Sequence, residues 1–93
     1  MSRKGIGVSK VEMYSSMWCP FCHRAKRLLQ SKGVDFEEYD VDANPTLRQE
    51  MTARSGGRRT VPQIFIGDHH VGGSDELVAL EREGRLSGML QSD

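Results

Sequence analysis

Both cysteines of the chain stand where a strand pattern passes into a helix pattern. Residues 10–14, KVEMY, alternate apolar and polar side chains, which predicts a strand. Cys19 follows after a short gap, and Pro20 behind it favours the first position of a helix. From residue 21 to about residue 32 the apolar positions, Cys22 among them, fall on one helical face. The sequence therefore predicts a strand, a short loop and a helix with a cysteine pair at its start.

Strand and helix patterns continue to alternate after this helix. Residues 34–41, VDFEEYDV, predict a second strand. Asn44 and Pro45 are a cap and a first residue for a second helix, which two glycines end near residue 57. Residues 61–73, VPQIFIGDHHVGG, predict a hairpin with arms at 64–66 and 70–71.

The C-terminal part predicts a third helix and one more helical turn. Ser74 or Asp75 is expected to cap the helix, which extends to Gly84. Apolar residues within 85–93 indicate the further turn. At the other end, residues 1–9 have little apolar character and predict a flexible leader, so that the folded domain spans 10–93.

The order of elements is β-α-β-α-β-β-α, which indicates an α/β protein. The 93 residues suffice for one domain only, because two separate cores would be too small. The first β-α-β unit is expected to be right-handed, with parallel strands. The hairpin then completes a four-stranded mixed sheet flanked by helices.

The composition argues against several partners and compartments. The 13 basic and 13 acidic residues balance, so we expect no nucleic-acid partner and no binding to an anionic membrane. No apolar run is long enough to span a bilayer, and the first ten residues lack the apolar segment of a signal peptide. We therefore expect the reducing cytoplasm, where a close cysteine pair is more often redox-active, catalytic or metal-binding than a structural bridge.

The position of the pair favours redox chemistry. Residues three apart at a helix start lie close enough for a small adjustment to bring them within disulfide reach. The free N–H groups and the dipole at the helix N-terminus stabilise a thiolate on Cys19. Cys22, one turn later, faces the core and is expected to have a higher pKa. Cys19 would then attack a substrate, and Cys22 would resolve the product.

Two other uses of the pair, a permanent bridge and a zinc site, are less favoured. A permanent bridge would close so small a loop that it would constrain the unfolded chain little. A closed zinc site needs four ligands, and only His23 lies beside the two cysteines in sequence. His69 and His70 are on the distant hairpin, so we expect no metal site.

Three motifs in order, CPFC after a strand, TVPQIFI and GGSDEL, resemble those of the dithiol glutaredoxins, in particular bacterial members of the type numbered three. The resemblance covers about residues 10–90. It implies the thioredoxin fold, in agreement with the element order above. It also implies a glutathione-dependent reductase of protein disulfides and of protein–glutathione mixed disulfides.

The resemblance assigns roles to residues that match the motifs. It makes Cys19 the nucleophile and Cys22 the resolving thiol. The glutathione-binding residues would be a loop with a cis-proline, a glycine-rich helix start and a preceding arginine: Thr60, Val61, Pro62, Gly73, Ser74, Asp75 and Arg59. Arg58 is an alternative to Arg59 as a partner for the glycyl carboxylate. A trans proline and an ordinary helix cap are the structural alternatives for the loop and the helix start.

Three residues depart from the family pattern. Ser16 stands where many members carry a lysine, which predicts a less stabilised thiolate or weaker glutathione binding. Phe21 replaces a more common tyrosine. Trp18 is unusual beside the first cysteine, where it could shield the site, stack on a substrate or pack against the hairpin.

The resemblance also implies the partners. Glutathione would be a co-substrate, with no tightly bound cofactor, and the other partners would be disulfide-bearing or glutathionylated proteins. We expect a monomer. An iron–sulfur carrier is a rival function that the stiff Pro20 disfavours, and a thioredoxin-like electron donor is another that the GGSDEL segment disfavours.

Overall fold

The computed structural model describes residues 9–91 and contains four strands and four helices in this part of the chain. Their bounds are β1 Val11–Ser15, α1 Pro20–Ser31, β2 Glu37–Asp40, α2 Pro45–Arg54, β3 Gln63–Ile66, β4 His69–Gly72, α3 Ser74–Arg82 and α4 Leu86–Leu90.

The strands form one mixed sheet in the order β2-β1-β3-β4. β1 runs parallel to β2 and antiparallel to β3, which is antiparallel to β4. This is the predicted four-stranded mixed sheet flanked by helices.

The register of the strands brings three loops to one edge of the sheet. Tyr14, near the end of β1, lies opposite Gln63, the first residue of β3. Gly72, the last residue of β4, lies opposite Ile64 of β3. The loops that follow β1, precede β3 and follow β4 therefore meet at the same edge. All the predicted site residues lie in these loops or in the first turns of α1 and α3 that continue them.

Helices cover both faces of the sheet. On one face α1, α3 and α4 enclose the larger part of the core, with Leu29, Leu77 and Leu86 fully buried. On the other face α2 packs through Met51 on Tyr14 and Phe65. Because β1 lies inside the sheet and is covered on both sides, all five of its residues are buried.

The predicted order of elements is confirmed, while several boundaries differ. β1 ends one residue later than predicted because Ser15 still pairs with Asp40. β2 is shorter than the predicted 34–41, since only residues 37–40 pair with β1 and the preceding Val34 and Phe36 instead pack against the core. α1 begins at Pro20 itself, and the predicted final turn exists as α4.

The prediction that Ser74 or Asp75 caps α3 is wrong. Gly73 is the cap, and its N–H donates to the carboxylate of Glu76 at 2.7 Å. Ser74 is the first helical residue, and its hydroxyl accepts a hydrogen bond from Arg24 instead of capping the helix. The helix also ends earlier than predicted, at Arg82.

The predicted leader lies outside the described residues except for Ser9. The backbone N–H of Ser9 donates to the carbonyl oxygen of Leu90 in α4 at 2.9 Å. Within residues 9–91, no helix combines the length and apolar character that a bilayer crossing requires.

Candidate functional site

Cys19 is the N-cap of α1, and its sulfur faces the loop before β3. Its Sγ accepts a hydrogen bond from the backbone N–H of Cys22, with N and Sγ 3.2 Å apart. The same Sγ lies 3.6 Å from the carbonyl oxygen of Val61, to which the thiol can donate. Cys19 is partly exposed. The sulfur is therefore open to a substrate and is held at the N-terminus of α1 by a backbone N–H of the helix.

Cys22 has the opposite surroundings. Cys22 lies in the first turn of α1, and its side chain is fully buried. It is not joined to Cys19 in a disulfide. Burial, followed by its hydrogen bonding with Cys19, raises the pKa of the Cys22 thiol to about 12. Cys22 therefore stays a thiol near neutral pH, as predicted.

The loop before β3 contains the cis peptide bond that the sequence motif indicated, between Val61 and Pro62. The fully buried amide of Gln63 holds this loop, since its Nε2 donates to the carbonyl oxygen of Thr60 at 3.0 Å and to its Oγ1 at 3.2 Å. Gln63 Oε1 in turn lies 2.6 Å from Nε2 of His70 on β4. Gln63 and His70 are thus supporting residues that the sequence analysis missed.

The sequence does contain a signal for the supporting role of Gln63, because it is the one polar residue in the apolar run VPQIFI. A buried amide is stable only if its donors and acceptor are satisfied, so such a residue implies a nearby backbone that needs fixing.

Arg24 ties α1 to the start of α3. Its Nε donates to Ser74 Oγ at 2.7 Å, and its guanidinium also forms an ion pair with the carboxylate of Asp75. The helical pattern alone puts Arg24 on the face of α1 opposite the apolar positions. The contact joins residues that are 50 positions apart, and no local pattern in the sequence indicates it.

A groove beside Cys19 brings together most of the predicted glutathione-binding residues. It is lined by residues of α1, of the loop before β3 and of the start of α3: Phe21, Arg58, Thr60, Val61, Pro62, Gly73, Ser74, Asp75 and Glu76. Arg58 also pairs with Glu76, with Nη2 and Oε1 3.9 Å apart.

Arg59 does not line this groove. It lines a separate depression that includes Asp42 and Arg48. In that depression Arg48 pairs with Asp42 at 3.1 Å, and Asp42 also accepts a hydrogen bond from Ser16. Of the two adjacent arginines, the structure therefore places Arg58 in the groove.

No three His, Cys, Asp or Glu side chains converge in a metal-binding arrangement within residues 9–91. His23 is on α1, whereas the adjacent His69 and His70 are both on β4.

Comparison with known proteins gives consistent results. The family model described as Glutaredoxin matches residues 11–71. A glutaredoxin of Pseudomonas aeruginosa is 56% identical over 82 residues, which cover 88% of this chain and 96% of that protein. Glutaredoxin 3 of Escherichia coli strain K12 is 52% identical over 84 residues, or 90% of this chain and 100% of that protein. The crystal structure of a buckwheat glutaredoxin–glutathione complex superimposes with a TM-score of 0.80 at 29% identity, covering 88% of this chain and 76% of that one.

Proposed function

Because the chain belongs to the glutaredoxin family, we propose that it uses glutathione to reduce protein disulfides and protein–glutathione mixed disulfides through a reversible Cys19–Cys22 dithiol/disulfide. The family and the thioredoxin fold, both expected from the sequence motifs, are confirmed. Thiol–disulfide oxidoreductase activity follows from the family. The dependence on glutathione and the roles of individual residues are the proposal.

One observation carries the proposal: the Cys19 sulfur lies 3.6 Å from the Val61 carbonyl oxygen, beside the groove. In the proposed complex the backbone of Val61 pairs with glutathione in the manner of an added strand. The first-turn N–H groups of α3, which have no partner within the helix, receive the γ-glutamyl carboxylate. The Asp75 carboxylate meets the γ-glutamyl ammonium, and Arg58 is the cation in the groove for the glycyl carboxylate. Arg59 remains its alternative from the neighbouring depression.

The first reaction removes glutathione from a protein thiol. The Cys19 thiolate attacks the glutathionyl sulfur of the mixed disulfide, and the protein thiolate leaves and takes up a proton. A second glutathione, as thiolate, attacks the glutathionyl sulfur now on Cys19. This step releases glutathione disulfide and restores the Cys19 thiolate. Cys22 takes no part.

The second reaction reduces a protein disulfide and needs both cysteines. Cys19 attacks one sulfur of the disulfide, which forms a mixed disulfide and releases one protein thiol. Cys22 then passes its proton to the departing protein sulfur and attacks Cys19 Sγ, which closes the Cys19–Cys22 bridge. Two glutathione molecules reopen the bridge and become glutathione disulfide. The raised pKa of Cys22 keeps it from competing with Cys19 for the first attack.

The proposal includes a monomer that acts in the cytoplasm, with glutathione as co-substrate and no tightly bound cofactor. The reducing compartment supplies the glutathione that both reactions consume.

A coupled assay with glutathione, glutathione reductase and NADPH tests the proposal. We expect Cys22→Ser to retain turnover of a glutathionylated peptide and to lose turnover of a protein disulfide such as that of insulin. Cys19→Ser is expected to lose both. Loss of both activities in Cys22→Ser, or turnover by wild-type protein with thioredoxin reductase but not with glutathione, would contradict the proposal.

A further inference from the structure

Large apolar side chains surround Cys19 on the surface. Met17 is 63% exposed, Trp18 is 85% exposed and Phe21 is 57% exposed, and these are the exposed large hydrophobic residues within 9–91. Trp18 therefore does not pack against the hairpin, which was one of the alternatives for it. Several large apolar side chains exposed next to a reactive atom indicate contact with a partner.

The backbone that presents Met17 and Trp18 is held in place. The N–H of Cys19 donates to the carbonyl oxygen of Ser16 at 3.3 Å, and the ring of His23 lies 2.9 Å from the carbonyl oxygen of Met17. The hydroxyl of Ser16 also donates to Asp42. A partner that binds here does not have to order this loop, which lowers the entropic cost of binding.

Met17 and Trp18 line a depression that shares no residue with the glutathione groove. Its lining consists of two residues of the loop before Cys19 and of residues on the exposed side of α1: Met17, Trp18, Pro20, His23, Arg24 and Arg27. We call it the Trp18 depression. Phe21, by contrast, lines the groove. The nucleophile therefore has one concave surface for glutathione and a second one with no assigned ligand.

The Trp18 depression is positively charged. Arg24 and Arg27 line it, and no acidic side chain does. Arg24 is partly neutralised by Asp75, while Arg27 makes no ion pair with any other residue in 9–91. Although the whole chain has zero net charge, this surface favours a partner that carries negative charge.

The chemistry requires a polypeptide next to Cys19. When Cys19 attacks the mixed disulfide, its sulfur, the glutathionyl sulfur and the leaving protein sulfur lie close to one line. The leaving protein sulfur is therefore about one S–S bond length beyond the glutathionyl sulfur. When the glutathionyl group occupies the groove, the segment that carries the protein sulfur has to use surface around Cys19 that the groove leaves free, and the first turn of α1 is part of that surface. The Trp18 depression begins at that turn.

We propose that the Trp18 depression docks the substrate polypeptide and selects segments with an apolar residue beside the reactive cysteine and acidic residues within a few positions of it. The inference rests on the proposed function and names the protein substrates of the same site. A second copy of this chain is a poor occupant, because a symmetric contact would bring the cationic residues of two depressions together.

The test compares two glutathionylated peptides that share an apolar residue beside the cysteine and carry either aspartates or lysines at the flanking positions. Both react with the same sulfur, so the ratio of their kcat/KM values does not depend on the reactivity of Cys19. We expect wild-type protein to prefer the acidic peptide by at least about fivefold at low salt, and less at high salt.

The variants separate the apolar from the charged contribution. Trp18→Ala is expected to lower kcat/KM on both peptides by at least about fivefold, since a central aromatic side chain dominates such contacts. Its turnover of hydroxyethyl disulfide with glutathione should stay near that of wild type. Arg27→Glu is expected to abolish or invert the peptide preference. The matched control, Arg85→Glu, changes an exposed arginine that precedes α4 and should leave the preference unchanged.

Trp18 is the single tryptophan of the chain, so its fluorescence reports binding directly. The acidic peptide with serine in place of cysteine is expected to shift the emission, and the basic peptide is not. Equal kcat/KM for the two peptides, no effect of Trp18→Ala, or a shift with phosphatidylserine vesicles but not with the acidic peptide would overturn the inference. Failure of wild-type protein on hydroxyethyl disulfide would instead overturn the proposed function.

Discussion

The two cysteines, three residues apart, differ in almost every property that controls the reactivity of a thiol. Cys19 is partly exposed, caps a helix and faces the Val61 carbonyl group. Cys22 is fully buried, and burial raises its pKa to about 12. The order of reaction that we propose for the two sulfurs thus follows from their places in one helical turn.

Alkylation tests this difference. We expect iodoacetamide near neutral pH to modify Cys19 of the folded protein and to spare Cys22, because the reactive species is the exposed thiolate. Peptide mass spectrometry after digestion gives the site and extent of modification. Protein unfolded in urea is the control, in which both cysteines should react. Similar modification of Cys19 and Cys22 in the folded state would contradict the assigned roles.

Local spacing in the sequence predicted that the cysteine pair and Pro20 stand at the start of a helix. The resemblance to the family, and not local spacing, indicated the cis bond between Val61 and Pro62. Contacts that tertiary packing creates could not be predicted. Arg24 of α1 donates a hydrogen bond to Ser74 of α3. Which of Arg58 and Arg59 lines the groove depends on the path of the loop before β3.

At the scale of elements, the turn from β4 into α3 shapes one side of the groove. Gly72 has φ of +114°, a conformation that other residues rarely adopt. A Cβ at Gly72 would lie 3.0 Å from Glu76 Oε1 and 3.1 Å from Arg58 Nη1. The side chain would thus disturb both the capping carboxylate and the cation of the groove.

Alanine substitutions at two glycines separate backbone strain from this disturbance. Gly84 has φ of +72° and open space around it, so Gly84→Ala tests backbone strain alone. Gly72→Ala and Gly84→Ala should each lower the free energy of unfolding in urea by about 1 kcal/mol. Only Gly72→Ala is expected to raise the KM for glutathione, by several-fold. An unchanged KM in Gly72→Ala would argue against glutathione binding at this turn.

Element boundaries were less predictable than element types. Gly73 caps α3 instead of the predicted Ser74 or Asp75. Arg24 donates to the Ser74 hydroxyl, and the Glu76 carboxylate accepts a hydrogen bond from the Gly73 N–H. The predicted β2 was too long because Val34 and Phe36, which pack against the core before the strand begins, continue the alternation of apolar and polar residues that is typical of a strand.

At the scale of the whole molecule, a polar network holds α2 on the sheet. The carboxylate of Glu12 on β1 is almost fully buried and accepts hydrogen bonds from Arg54 of α2 at 3.0 and 3.3 Å. Arg54 also lies 4.1 Å from the centre of the Phe65 ring and donates to Tyr14 Oη at 2.8 Å. The strand pattern of β1 could not predict this network, because it depends on how α2 crosses the sheet.

The network predicts how stability depends on pH. The hydrogen bond from Arg54, partly opposed by burial, lowers the pKa of Glu12 from its ordinary value of 4.5. Its stabilising effect is therefore full above the ordinary pKa and is lost as the pH falls through the lower pKa of the folded state. We expect Glu12→Gln to reduce the free energy of unfolding near neutral pH by about 1–3 kcal/mol.

Urea unfolding over a range of pH measures this effect. The difference between wild type and Glu12→Gln should shrink as the pH falls below 4.5. Glu83→Gln, which alters an exposed carboxylate beside Arg85, is the control and should have little effect at any pH. A difference that stays constant into the acidic range would show that the charge of Glu12 is not what stabilises the fold.

We propose that the groove beside the Cys19 sulfur holds glutathione. Backbone amide chemical shifts of the Cys22→Ser variant, before and after one glutathionyl group is attached to Cys19, test it most directly. We predict that the largest changes away from Cys19 occur at Thr60, Val61, Gly73, Ser74 and Asp75. The claim is contradicted if these amides do not change, or if the largest changes lie around Arg48 and Arg59 instead.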